Sequence, residues 1–198
     1  VVGAVVASVI GCIYGGIASY FGGIVDDIMM RIVEVLLSIP YLIIVILISV
    51  VTDSKSIGTM MLALTLTGWC GIARLVRGQM LQLKSQEYVL AANALGVSPF
   101  KIIMRHMIPN TIGIIIVAIT FDIPGYIFSE AFLSYIGLGI KPPNCSWGVL
   151  AKDGIAQLRI HPYQVFVPAF LICTTMLALN LLGDGLRDAF DPKLRGTE

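Results

Sequence analysis

The sequence predicts an all-α membrane protein that crosses the bilayer several times. Three observations carry that reading. Apolar residues make up 57% of the chain and charged residues only 13%, about half the roughly 25% charged share of a soluble domain. Mean hydropathy is +0.91. The apolar residues also gather into uncharged runs long enough, at about 1.5 Å per residue, to cross a hydrocarbon core of roughly 30 Å. The net charge of +1 leaves no basic surplus to neutralise phosphates, which argues against a nucleic-acid partner. Residues 1–198 are read as one transmembrane domain.

Val1 to Val25 carries no charge and predicts the first span. The chain opens on Val1 inside an apolar run, without Met or a basic lead, and reads as truncated rather than as led by a signal peptide. Gly3, Gly11, Gly15, Gly16, Gly22 and Gly23 suit close helix approach and predict a place in the bundle interior. Asp26, Asp27 and Arg31 then predict a short polar turn. Val35 to Thr52 is a second span kinked by Pro40 and closed by Asp53-Ser54-Lys55. Ser56 to Ala73 is a third, after which Arg74, Arg77 and Lys84 lead into a polar segment.

Lys84 to Asn110 predicts a charged helical hairpin among apolar runs. Ser85 is a good N-cap, Gln86 and Glu87 suit a first turn, and Gly96 stands where a C′ glycine would end the helix, giving one helix of roughly Gln86 to Leu95. Ser98 caps a second with Pro99 at its first position, which runs until Pro109 breaks it. Tyr88, Ala91, Ala92 and Leu95 follow i, i+3, i+4, i+7 and form one apolar face with small residues at its centre. Pattern alone fits either a docking surface or a helix lying on the bilayer.

From Thr111 the apolar register runs to Ile140, interrupted by Asp122, Pro124-Gly125 and Glu130. It predicts a span over roughly 111–130, broken near Pro124, with a following segment along the membrane edge. Residues 141–162 predict a polar loop holding a short amphipathic helix around Trp147 to Leu158. Pro162 to Gly183 is the last span, and 184–198 a charged tail.

Ala91-Ala92, with Gly96 four residues on and then Ile108-Pro109-Asn110, resembles the cytoplasmic EAA loop of ABC importer permeases. The segment from Glu130 to Gly139, EAFLSYIGLG, with Pro142-Pro143 and Ser146-Trp147-Gly148, and Gly183-Asp184-Gly185-Leu186-Arg187-Asp188, resembles the C-type permease subunit of the oligopeptide and dipeptide importers. The family's general pattern has Glu directly before the alanine pair and Ile three before the Pro. This chain has Leu90 and His106 there, with its acid at Glu87, which places it nearer the peptide branch.

The resemblance implies a MetI-like ABC permease fold of six spans, five present here and an amino-terminal one missing. It implies that the hairpin couples to an ATPase through Glu87, Tyr88, Ala91, Ala92, Leu95, Gly96 and Pro109. The implied partners are a homologous second permease, two cytosolic ATP-binding subunits that hold ATP and magnesium, and an extracytoplasmic peptide-binding protein, all at a prokaryotic cytoplasmic (inner) membrane. This chain itself is expected to need no cofactor and to catalyse no reaction.

Five spans put the two ends on opposite sides. On the hairpin side lie Arg31, Arg74, Arg77, Lys84, Lys101, Arg105, Arg187, Lys193 and Arg195, and on the other Lys55, Lys141, Lys152 and Arg159. The positive-inside rule therefore predicts a cytoplasmic hairpin and tail, and an extracytoplasmic 141–162 loop.

No zinc-protease, nucleophile-elbow or phosphate-loop motif is present, so neither hydrolysis nor ATP binding is expected. Cys12, Cys70, Cys145 and Cys173 lack metal-ligand spacing and read as small hydrophobes. His106 and His161 are predicted at opposite faces, too far apart for a shared metal site. Acids in apolar runs are more informative, because an ionised carboxylate in hydrocarbon costs several kcal/mol and generally faces a cavity or a partner. Asp122 and Glu130 are therefore candidates for a substrate pathway. The plainer readings are that Asp122 serves backbone donors at the Pro124 break and that Glu130 anchors an interface or a neighbouring helix. Glu34 is expected to pair with Arg31 at i, i+3, and Asp184 and Arg187 to be helix-terminal charges. Other functions stay open: a family importer for nickel or another small solute, and an ion-coupled secondary transporter using Asp122, Glu130 and a broken helix. An intramembrane enzyme is disfavoured, since no nucleophile and base are recognisably arranged.

Overall fold

The computed structural model describes residues 2–52, 56–140 and 143–190. Val1, Asp53-Ser54-Lys55, Lys141, Pro142 and the tail residues 191–198, with Lys193 and Arg195, lie outside them. Among the described residues every regular element is helical. Among the described residues four helices are long and apolar enough to cross a membrane, and a bent pair, Gly23–Ser38 with Tyr41–Ile48, passes the same length and composition test when taken together.

Helix α1, Val2–Phe21, packs most extensively on α4, Ile57–Lys84. The small residues make that possible. A Cβ added at Gly11 would lie 2.7 Å from the Trp69 carbonyl oxygen, and one at Gly15 2.4 Å from that of Ala73, so the two backbones touch. As the glycines predict, α1 is the most buried of the long helices.

The expected turn at Asp26, Asp27 and Arg31 lies elsewhere. The chain turns at Gly22 and Gly23, whose φ values of 65° and 54° suit glycine alone, and the three charged residues sit within α2, Gly23–Ser38. Nor is Pro40 a mere kink. Ile39 is held extended (φ −82°, ψ 123°) by the proline after it, so α2 ends and α3, Tyr41–Val51, leaves at 82° to it. Helix α4 starts on Ser56, whose Oγ accepts the Thr59 N–H at 3.2 Å, and runs past Ala73 to carry Arg74, Arg77 and Lys84.

Two further breaks predicted at prolines do not occur. A short α6, Pro99–Ile102, passes through a π-helical segment, Ile103–Met107, into α7, Ile108–Tyr135. Pro109 follows directly on the π-helical turn, and the chain stays helical through it although the proline removes one backbone hydrogen bond. Pro124 is buried inside α7 without breaking it, because packing against neighbouring helices holds a transmembrane helix through a lost hydrogen bond. α7 ends at Gly137 (φ 86°), with the Leu138 N–H on the Leu133 carbonyl. Ser146 caps α8, Trp147–Ile155, by accepting the Val149 N–H. α9, Tyr163–Phe190, continues seven residues past Gly183, so Asp184, Arg187 and Asp188 lie on a helix rather than in a loose tail.

Glycine contacts also fix direction. Gly3 faces Thr65 and Gly16 faces Met80, so α1 and α4 run parallel, whereas Gly113 meets Phe190 and Gly183 meets Phe121, so α7 and α9 run antiparallel. The hairpin and the ends of α1, α4 and α9 therefore share one end of the bundle. α8 lies at the other, with Gly148 on Ala131 and Gly154 on Gln164.

Candidate functional site

The hairpin projects from the bundle. Its first helix, α5, is Glu87–Ala94, and its N-cap is Gln86 rather than Ser85. Ser85 instead closes α4, with its hydroxyl on the Gln82 carbonyl at 3.0 Å. Gly96 takes φ 72°, while the Gly96 and Val97 N–H groups bond the carbonyls of Asn93 and Ala92. That is a Schellman ending, at the predicted residue. Ser98 and Pro99 begin α6 as expected, though the Ser98 side chain makes no cap bond.

The predicted apolar face divides. Ala92 is 7% exposed and Val89 fully buried, and both enter a core with Met80, Ile102, Ile103 and Met107. Tyr88, Ala91 and Leu95 point outward with Glu87 and Pro109, and Leu95 is 83% exposed. Phe100, on α6, is also exposed, at 69%. Periodicity marked residues of both faces as one, because alanine is equally at home on either.

Polar contacts fix the hairpin to α1. The Tyr20 hydroxyl donates to Asn93 Oδ1 at 2.7 Å, and Lys84 Nζ donates to the Tyr20 carbonyl at 2.6 Å, where it meets the negative end of the α1 dipole. Next to them Arg77 forms a fork on Asp26, Nε to Oδ1 and a terminal nitrogen to Oδ2, each 2.5 Å. None of these bonds was read from the sequence, since each joins residues at least 51 positions apart with no periodic signal. The local Arg31–Glu34 pair does form, at 2.7 Å and in the open.

Two clefts flank α7. One, of about 550 Å³, lies between α3, α4 and α7 and is lined by Tyr41, Thr67, Asp122, Tyr126 and Ser129. The other, of about 660 Å³, lies toward α8 and holds Glu130, Ser146 and Trp147. Leu64 and Tyr126 line both. Glu130 is engaged, accepting the Ser134 hydroxyl at 2.7 Å. Asp122 has no break to serve, because α7 is continuous around it. His106 lies in the π segment and His161 before α9, at opposite ends of the bundle.

Residues 7–196 match the family described as the binding-protein-dependent transport system inner membrane component. The chain belongs to that family. As one of these transport components, it is 54% identical over 196 residues to the dipeptide transport system permease protein DppC of Bacillus subtilis, covering 98% of this chain and 61% of that protein. It is 50% identical to the oligopeptide transport system permease protein OppC of the same organism, covering 98% and 64%. The glutathione transport system permease protein GsiD of Escherichia coli is 40% identical, with 89% and 58% covered. The chain thus spans somewhat over half the length of the curated relatives it matches. Among solved structures, the inward-facing MetNI methionine ABC transporter is similar, with a TM-score of 0.72 at 18% identity, covering 96% of this chain and 90% of that one. The transport component accordingly has the MetI-like permease fold, with the multi-pass helical build expected of it.

Proposed function

We propose that this chain is the membrane-spanning permease subunit of an ATP-driven ABC importer for dipeptides or oligopeptides, and that its hairpin docks on a cytosolic ATP-binding subunit. The observation that carries the proposal is the split hairpin. Its inner face is continuous with the core between α1, α4 and α7, while Tyr88, Ala91 and Leu95 share an outward apolar face of α5 and Phe100 is exposed on α6, exposure of the kind that marks an interaction site. A partner bound there would move the bundle, not only the loop. The identity to DppC and OppC supports a peptide as cargo.

In this reading a homologous second permease completes the translocation path and an extracytoplasmic protein delivers the peptide. ATP and magnesium act in the cytosolic subunits. Closure of those subunits draws the two hairpins together and exchanges inward for outward access, which requires hairpin binding energy to differ between the two states. Arg74, Arg77, Lys84, Lys101, Arg105 and Arg187 gather at the hairpin end, against Lys152 and Arg159 at the α8 end, an asymmetry that supports a cytoplasmic hairpin.

The test is co-purification of the tagged full-length protein from its native membrane. Ala91→Asp combined with Leu95→Asp charges the outer patch without entering the core, whereas Asp at buried Ala92 would damage the fold itself. ATP-binding subunits should accompany the wild type and be lost with the double variant, while the second permease is retained. Recovery of the ATP-binding subunits with both, or with neither, would overturn the docking assignment.

A further inference from the structure

The cleft between α3, α4 and α7 holds polar groups that the fold leaves unanswered. Asp122 is only partly buried and, among the described residues, accepts no hydrogen bond and joins no ion pair. Tyr41 and Tyr126 line the same cleft, while their hydroxyl oxygens are buried out of its reach and without a hydrogen-bond partner among the described residues. At membrane depth such groups are costly unless water or a ligand meets them. Meanwhile the wall is kept open by small residues. A Cβ at Gly68 would run into the Tyr126 hydroxyl, whereas at Gly71 and Gly125 it would meet nothing within 4 Å.

The donor and acceptor pattern identifies what fits. One carboxylate asks for a single positive charge with several protons to give, and the two tyrosines offer aromatic surface beside it. An ammonium group carried on a short, partly apolar body answers both. A metal ion is a poorer match, because no cluster of three or more His, Cys, Asp or Glu side chains exists among the described residues. The cleft volume of about 550 Å³ falls within the usual range for small-molecule sites, roughly 300–1,000 Å³. Glu130 lies two helical turns from Asp122 on α7, but its carboxylate is already taken by Ser134. That singles out Asp122.

We propose that this cleft is a station for the amino-terminal end of a peptide in transit, with Asp122 receiving the ammonium group and the Tyr41 and Tyr126 side chains walling the cleft beside it. The assignment rests on the peptide-importer reading above and adds to it a site and a chemical requirement. Because Tyr126 lines both clefts, a peptide leaving the α8 end would pass along α7 from the Glu130 cleft to the Asp122 cleft.

The experiment uses the complete transporter in proteoliposomes. Cys12, Cys70, Cys145 and Cys173 are replaced by Ser, and Thr67→Cys places a thiol in the cleft wall. An ammonium-bearing methanethiosulfonate should modify that thiol about tenfold faster than its sulfonate counterpart, as a charged cleft concentrates counter-ions. A dialanine peptide at about twice its dissociation constant should slow modification roughly threefold. Asp122→Asn should abolish both the rate ratio and the protection, and Asp122→Glu should restore the ratio. Equal rates with Asp and Asn, protection by sodium ions alone, or no modification by either reagent would each overturn the site. ATP-driven uptake of the same peptide by the wild type is measured alongside. If that uptake is absent, the importer reading fails; if it is present while the cleft shows no protection, only the station fails.

Discussion

At Gly15 the α1 and α4 backbones leave no room for a single carbon, since an added Cβ would stand 2.4 Å from the Ala73 carbonyl oxygen and 3.0 Å from the Arg77 nitrogen. Neither atom can rotate away, so the helices themselves must separate. Gly15→Ala should therefore destabilise the full-length protein by the about 1–3 kcal/mol typical of overpacking, read as earlier thermal unfolding in detergent. Gly78, on the same α4, has nothing within 4 Å of such a carbon. Gly78→Ala should be neutral or stabilising by up to about 1 kcal/mol, the helix-propensity difference. Equal losses at the two positions would refute the packing argument. Which residues turn the chain was legible where chemistry is local: Gly96 and its Schellman bonds follow from glycine at the end of a periodic segment. Pro124 and Pro109 were misread, because a proline's cost depends on the surrounding helices and on its place in the turn, and a one-dimensional pattern contains neither.

Among elements, the Asp26–Arg77 fork ties the start of α2 to α4 with its carboxylate largely buried. Breaking a buried pair leaves an uncompensated charge and costs about 3–5 kcal/mol, and the partial exposure of Arg77 places this one at the lower end. Asp26→Ala should show that loss in thermal unfolding, and Asp26→Arg with Arg77→Asp should recover part of it. Arg31→Ala, which breaks the exposed pair with Glu34, should change stability by less than about 0.5 kcal/mol. Similar effects from the two pairs would remove the distinction drawn between them. The long apolar helices were readable from uncharged runs and the hairpin helices from their capping residues, but the charged start of α2 and the joints were not. The 82° turn between α2 and α3 needs the extended Ile39 and room for α3 to lie across α4, and only the first is written locally.

For the whole molecule, the bundle has a hairpin end and an α8 end, and the proposed orientation sets which compartment each meets. Cys145 is an exposed thiol beside α8. With Cys12, Cys70 and Cys173 replaced by Ser, a membrane-impermeant maleimide should label Cys145 in intact cells. In a cysteine-free background, Ser85→Cys, exposed at the hairpin end outside the docking patch, should label only after permeabilisation. The reverse pattern would invert the topology. Architecture and family were legible from hydropathy and three short motifs. The Asp122 cleft was only half legible: its acid stood out in an apolar run, but the two tyrosines that complete it are ordinary apolar-run residues until folding assembles them. One mechanical property follows from the unbroken path of α6, the π segment and α7. Residues 99–135 form 37 residues of continuous helical backbone, a rod of about 55 Å at 1.5 Å per residue. Moved as one body, such a rod acts as a lever: tilting its hairpin end by about 5° sweeps the far end through about 5 Å over that length, enough to resize the clefts along it.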